Sequence, residues 1–341
     1  MANHSFPTKE RRRYWISFCG IATLIIGGGA ALFLMRPRAD AIALASTETA
    51  QAIEPNVWKG AIDPTAIPLG DGKISTSPQI GYVFSCNTRF RGGGARHAGS
   101  WINTTNNTWN SKTKIAVEGN VEWPSADYTE TISGDNRILT TNDLPQKDAT
   151  GIFPINPDDP AYQYDTNPNE IGSQELRYTL PLNPEPASQP SCLPMGPIGI
   201  FKNGVVLFNA VDDSGRDAVA HETQDLNNGH PNQQEMYHYH NLPAGMLEKV
   251  TGPSTLVGYA FDGYGIYVER DSKGNLPTDA DLDACHGRTS PVMWNGKLSD
   301  MYHYSVTMEY PYTLGCFQGT PVVHPHEERR PFPGRRPPPP R

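Results

Sequence analysis

Residues that bind metal ions or move protons crowd into one stretch of this chain: six of its ten histidines, His221, His230, His238, His240, His286 and His303, lie between positions 221 and 303. In Met236-Tyr237-His238-Tyr239-His240 the residues alternate. On a β-strand, alternation sends both imidazoles to one face and both tyrosines to the other. Two imidazoles so placed can share one ion, at Zn–N distances of about 2.0–2.1 Å. An isolated pair of this kind also occurs on strands where the rings only hydrogen-bond. Here, however, Met301-Tyr302-His303-Tyr304-Ser305 repeats the pattern, and each copy follows a His beside a Gly, Gly229-His230 and His286-Gly287. This reads as an internal duplication with unequal halves, since Ser305 stands where the first copy has His240. Two strands that each offer a His, with histidines from the preceding loops, supply the three or four nitrogen ligands of a zinc or copper site. The expected set is His238, His240 and His303, helped by His230, His286 or His221. Glu222, Asp225 and Asp283 can orient imidazoles, and Glu222 and Asp225 are the candidates for a general base on metal-bound water.

Other catalytic patterns are weak or absent. His221-Glu222-x-x-Asp225 departs from the H-E-x-x-H protease signature at its second ligand, and the Gly- and Asn-rich sequel does not promise a long helix. No phosphate loop G-x-x-x-x-G-K-[ST] and no G-x-S-x-G elbow occurs, and Gly92-Gly93-Gly94 reads as a flexible loop. Asp71-Gly72 and Asp262-Gly263 read as turns. A net charge of -8 argues against nucleic acid as a partner, because phosphate binding needs a basic face.

The elements that must position the histidines are short. With 32 Gly and 32 Pro and only 37% hydrophobic residues, the chain favours turns and strands over long helices. Strand-like runs occur at Gly81-Tyr82-Val83-Phe84, Lys114-Ile115-Ala116-Val117-Glu118, Gly199-Ile200-Phe201, Gly204-Val205-Val206-Leu207-Phe208, Leu256-Val257-Gly258-Tyr259-Ala260 and Gly265-Ile266-Tyr267-Val268. Asn203-Gly204 signals a hairpin with a two-residue type I′ turn. Ala244 to Val250, after Pro243, has the composition of a short helix. The fold class expected is mainly β, a sandwich or barrel-like body with long loops and few short helices, plus one N-terminal transmembrane or signal helix.

Arg11, Arg12 and Arg13 precede an uncharged apolar run, residues 14–35, long enough to span a bilayer. Small-x-small sites follow at Ala39-Asp40-Ala41 and Ala43-Leu44-Ala45. Residues 1–45 therefore read as a signal anchor or a cleaved signal peptide. The preceding basic residues place the rest of the chain outside the cytoplasm, periplasmic or extracellular, and held at the inner membrane by 14–35 if uncleaved. Arg-Arg-Arg-Tyr-Trp-Ile before a Gly-rich apolar region also resembles a twin-arginine export signal, though an ordinary basic leader has the same look. Residues 46–77 read as a linker, 78–320 as one β-rich domain, and 321–341 as a Pro- and Arg-rich disordered tail. Beyond Cys19 in the apolar run, Cys86, Cys192, Cys285 and Cys316 are an even set suited to disulfides in an oxidising compartment. Three connectivities are possible. Cys285 with Cys316 is favoured because both flank the histidine region, which leaves Cys86 with Cys192; the competing reading makes Cys285 a metal thiolate beside His286.

Tyr237-His238-Tyr239-His240 resembles the hallmark of the YHYH domain family of bacterial exported proteins. The resemblance extends in order through Gly196-Pro197-Ile198-Gly199-Ile200-Phe201, Phe208-Asn209-Ala210, Gly215-Arg216-Asp217-Ala218-Val219-Ala220-His221-Glu222, Gly229-His230-Pro231, Phe261-Asp262-Gly263-Tyr264-Gly265-Ile266-Tyr267, Cys285-His286-Gly287 and Tyr310-Pro311-Tyr312-Thr313-Leu314-Gly315-Cys316. It covers about residues 150 to 320. Ser305 and Asn227-Asn228 depart from it, standing where relatives carry a histidine and a cysteine. The family implies export without implying a reaction. Three functions follow from the residues: an exported protein binding copper or zinc through the histidine cluster, a metal-dependent hydrolase using Glu222 or Asp225, or a metal-free, non-catalytic cell-surface module with Tyr237, Tyr239, Tyr264 and Tyr267 as its binding face.

Overall fold

Alternation and turn chemistry build a sheet around the histidines. A computed structural model of the chain describes residues 62–250 and 252–322. Chain contacts separate Met1–Ala52, wholly outside those residues, from the unit Ile53–Arg341 that contains them. The signal or anchor reading of 1–45, with its apolar run 14–35, therefore lies outside the described residues. Among the described residues no helix is long and apolar enough to cross a membrane.

The first strands are short: β1 (Ile67–Pro68), β2 (Ile74–Ser75), β3 (Val83–Phe84), β4 (Ile102–Asn103) and β5 (Thr108–Trp109). They overturn the linker reading of residues 62–77. Ile67 and Leu69 are buried in the main core, β1 pairs with β5, and β2 pairs with β3. Two apolar residues set among prolines and glycines carry no periodicity, yet they pack. The Lys114–Glu118 run is likewise not a ladder strand. Val117 makes an isolated bridge to Asp225, while the Lys114 ammonium donates to Gln224 Oε1 at 2.8 Å.

Next come β6 (Tyr128–Ser133), β7 (Asn136–Thr141) and β8 (Leu176–Pro181), an antiparallel three-stranded sheet, followed by β9 (Pro186–Ser191). The remaining elements are β10 (Pro197–Phe201), β11 (Val206–Phe208), α1 (Ala218–His221), β12 (Gly229–Pro231), β13 (Tyr237–Tyr239), α2 (Ala244–Lys249), β14 (Ser254–Ala260), β15 (Gly265–Glu269), β16 (Gly287–Trp294), β17 (Lys297–Ser305) and β18 (Phe317–Gly319), which pairs with β9. The helix expected after Pro243 is α2. Val322 donates its amide to Phe261 O, so the body runs past position 320, and the rest of the tail, from 323, lies outside the described residues.

Eight strands form the principal sheet in the order β12-β13-β11-β10-β14-β15-β17-β16. The sheet is open, with β12 and β16 as its two edges, so the fold is mainly β but not a closed barrel. Its order is palindromic. A hairpin supplies the two inner strands of each half, and a Tyr-His-Tyr strand is second from each edge. The halves meet at the antiparallel β10–β14 pair, where Ile200 faces Tyr259 between Gly199↔Ala260 and Phe201↔Gly258. Each hairpin closes through a three-residue loop, which corrects the two-residue turn expected at Asn203-Gly204 and fits the turn read at Asp262-Gly263. Gly204 donates to Phe201 O and Gly263 to Ala260 O, both at 2.9 Å and both with φ of +93°. Only the glycine is left-handed, which is the geometry of a turn continued into a bulge.

The β6-β7-β8 sheet packs on the second half. Tyr178 stacks on Phe261 at 4.5 Å, and the Trp294 indole donates to Leu182 O at 3.1 Å. Arg137 is buried with its guanidinium 4.3 Å from the Tyr259 ring and 4.9 Å from Trp294, paired to Glu130. An unpaired charge there would be costly, so ring faces and carboxylate are what make it tolerable. Two disulfides complete the body, Cys86–Cys192 and Cys285–Cys316. Cys285 is therefore no thiolate ligand.

Candidate metal centre

Strand β13 realises the alternation read from its sequence. On one face the Tyr237 hydroxyl donates to Asp225 Oδ2 at 2.7 Å, and the Tyr239 hydroxyl accepts from Asn203 Nδ2 at 3.1 Å. On the other face lie His238 and His240. Edge strand β12 brings His230 directly opposite His238. Ring centroids are 4.4 Å apart for His230–His238, 5.0 Å for His238–His240 and 5.5 Å for His230–His240. One nitrogen from each of the three rings lies within 4.8 Å of the other two, a spread that one ion can bridge.

Helix α1 adds a carboxylate. Its single turn is capped by Asp217, whose side chain accepts from Ala220 N at 3.2 Å, and the chain leaves it at Glu222. Glu222 Oε2 is 3.1 Å from both His230 Nε2 and His240 Nε2. These contacts are close enough for ion pairing but lack hydrogen-bond geometry. Glu222 Oε2, His240 Nε2 and both nitrogens of His230 are buried without a hydrogen-bond partner. Buried polar atoms are almost always satisfied, so three orphans set against one another, Glu222 Oε2, His230 Nε2 and His240 Nε2, call for a partner.

The protonation pattern suits a cation. His238 Nδ1 is 3.2 Å from Met236 O and His240 Nδ1 is 2.5 Å from Asn209 O. A carbonyl only accepts, so each Nδ1 carries the proton and each Nε2 is turned toward the cluster. Burial, reinforced by the neighbouring His230 and His240, pushes the His238 imidazole well below its ordinary range and leaves it neutral. Burial alone would raise the Glu222 carboxyl, but His230 and His240 override it and hold the group well below the usual range. Burial would lower His240, and Glu222 beside it raises it instead. His238 is thus in the neutral form a metal requires, whereas His240 and Glu222 form a charged pair whose proton a bound cation would displace.

The structure separates the other predicted ligands from this cluster. His303 lies on β17, with four strands between it and β13, which is five spacings of about 4.8 Å or roughly 24 Å. It cannot share an ion with His238. His286 packs in the second half, with Nε2 3.1 Å from Thr307 Oγ1 and Nδ1 3.3 Å from Asp279 Oδ1. His221 turns its Nε2 to Asp71 Oδ2 at 2.9 Å. Asp225 is no base: its two oxygens accept from Tyr237, Gly151, Asn227 and Gly229. Nor do the tyrosines make a binding face, since Tyr237, Tyr239, Tyr264 and Tyr267 are all buried. Three contributors stood in the sequence without a role at the site. Phe208 stacks on His238 at 3.9 Å, the Asn209 carbonyl orients His240, and the Gly92-Gly94 loop lies over Glu222. That loop is pinned: Gly92 N donates to Asp213 O and Gly93 N to Ser214 Oγ.

An open β-sheet whose edge hairpin buries three imidazoles against a carboxylate defines the domain. Residues 177–278 match the family model described as YHYH protein. The matched span holds the whole His230/His238/His240/Glu222 cluster and stops before β16 and β17. No curated protein and no solved structure matches the chain.

Proposed function

We propose that this chain is an exported YHYH-domain protein that holds one zinc or copper ion through His230, His238 and His240, with Glu222 as the fourth donor. The observation that carries the reading is the convergence of buried nitrogen and carboxylate atoms that have no hydrogen-bond partner. Imidazoles suit both metals, and burial behind the Gly92–Gly94 loop favours a retained ion over an exchanging one. The two disulfides support export, since such bonds persist in oxidising compartments. A hydrolase needs an open coordination position. Glu222, 3.1 Å from two of the imidazoles, fills that position, and the structure favours binding over water activation. Elemental analysis of the full chain purified from the periplasm tests the reading, alongside a His238→Ala/His240→Ala variant. One equivalent of zinc or copper, lost in the variant, is the expected result. A folded wild type that stays metal-free after loading with both metals overturns it.

A further inference from the structure

The two halves of the sheet correspond residue by residue. Gly229 pairs with Tyr239 and Gly287 with Tyr304, so His230 matches Arg288, His238 matches His303, and His240 matches Ser305. The supports match too. Asp225 and Asp283 each accept the backbone amide of the strand glycine and the hydroxyl of the first strand tyrosine, Tyr237 or Tyr302. Asn203 and Asp262, each one residue before its hairpin glycine, bond the second tyrosine, Tyr239 or Tyr304. The imidazoles of His238 and His303 each set Nδ1 against the carbonyl two residues back, Met236 or Met301. Even the aromatic partner recurs, with Phe208 on His238 and Tyr267 on His303.

What differs is how the buried carboxylate in each half is met. In the first half His230 and His240 approach Glu222 Oε2 at 3.1 Å with no hydrogen bond made. In the second half the matching positions supply Glu269 with a permanent cation and hydrogen-bond donors. Arg288 Nε donates to Glu269 Oε2 and its Nη2 lies near Oε1, both at 3.0 Å, a two-pronged clamp. Ser305 Oγ donates to Oε2 at 2.5 Å, and His303 Nε2 is 3.1 Å from the same oxygen. Glu269 is 5% exposed, so its charge must be met from within, and it is.

We infer that the second repeat is a metal site whose cation has been replaced by a side chain: the Arg288 guanidinium neutralises Glu269 where an ion would otherwise be required, so the domain carries one ion and one built-in substitute for it. This rests on the first site binding metal. It follows that the first half depends on its ion for full order, whereas the second half does not. It also follows that restoring imidazoles at the two exchanged positions reopens the second site.

The test is metal content of the full chain, loaded with zinc, for the wild type, Arg288→His/Ser305→His and Glu269→Gln. One equivalent in the wild type, about two in the double variant and one in Glu269→Gln is the expected result. A folded double variant that gains nothing over the wild type overturns the inference, as does a Glu269→Gln chain that loses its metal or a wild type that already holds two. A wild type without metal whose double variant gains one equivalent sinks only the reading of the first site. Should the double variant not fold, hydrogen exchange of wild type with and without zinc decides: protection gained in β12 and β13 but not in β16 and β17 supports the inference, and equal gains overturn it.

Discussion

His230 and His238 face each other in register across two antiparallel strands, with Phe208 stacked on the far side of the His238 ring. That places one imidazole of the cluster between an aromatic plane and a second imidazole, and its orientation follows from packing on both faces. Orientation fixed before binding lowers the entropic cost of capturing an ion.

Replacing Glu222 by Gln keeps the shape and removes the charge beside His230 and His240. Metal affinity is expected to fall by about tenfold or more, on the scale seen when a tuning carboxylate is lost from a metal site. Competition against a chromophoric chelator measures it, and unchanged affinity would place Glu222 outside the coordination set.

Tyr237→Phe separates support from binding. Asp225 Oδ2 loses its hydroxyl donor but keeps Gly151 N at 2.9 Å. A cost of about 1–2 kcal/mol in unfolding free energy is expected, with metal content unchanged.

Gly229 has no room for a side chain: a Cβ there would sit 2.2 Å from the Tyr237 ring and hydroxyl. Gly229→Ala is expected to cost about 3 kcal/mol or more, because the obstructing ring is itself buried and bonded to Asp225. Chemical denaturation measures it against Gly296→Ala, where the added atom meets nothing within 4 Å and the only penalty is a left-handed backbone that Gly229 does not have; the Gly229 variant is expected to lose more.

Acid stability carries a signature of the second half. Burial would raise the Glu269 carboxyl, but His303, Arg288 and Ser305 together bring it down to about 2 from an ordinary 4.5. A depressed carboxylate lends stability that is complete above its unfolded value and is lost as pH falls from there through its folded value. The expected loss therefore spans about pH 4.5 to 2. Urea unfolding across that window should show a shallower pH dependence in Glu269→Gln, and an identical slope would remove Glu269 from the account.

The candidate site was legible where local spacing decides geometry. Alternation through Tyr237-His238-Tyr239-His240 set the two faces of β13, and Asp262-Gly263 marked a turn. Sequence could not reveal strand order. Two similar Tyr-His-Tyr strands looked able to share an ion, yet two hairpins lie between them. The repeat itself was half visible, because Asn203-Gly204 and Asp262-Gly263 match by position in the sheet while their neighbours, Lys202 and Phe261, share nothing. Glu222 was found as part of a broken protease pattern, and its true setting depends on the one-turn helix capped by Asp217. Ile67 and Leu69 went unread because isolated apolar residues acquire meaning only when a core is there to receive them.

Both disulfides join cysteines that are consecutive in the sequence after Cys19: Cys86 closes on Cys192 across 106 residues, and Cys285 on Cys316 across 31. For a chain threaded through a membrane N-terminus first, each cysteine therefore meets its proper partner as the next thiol to emerge. Sequential oxidation of thiols emerging in that order favours the native pairing over the two other connectivities that four cysteines allow.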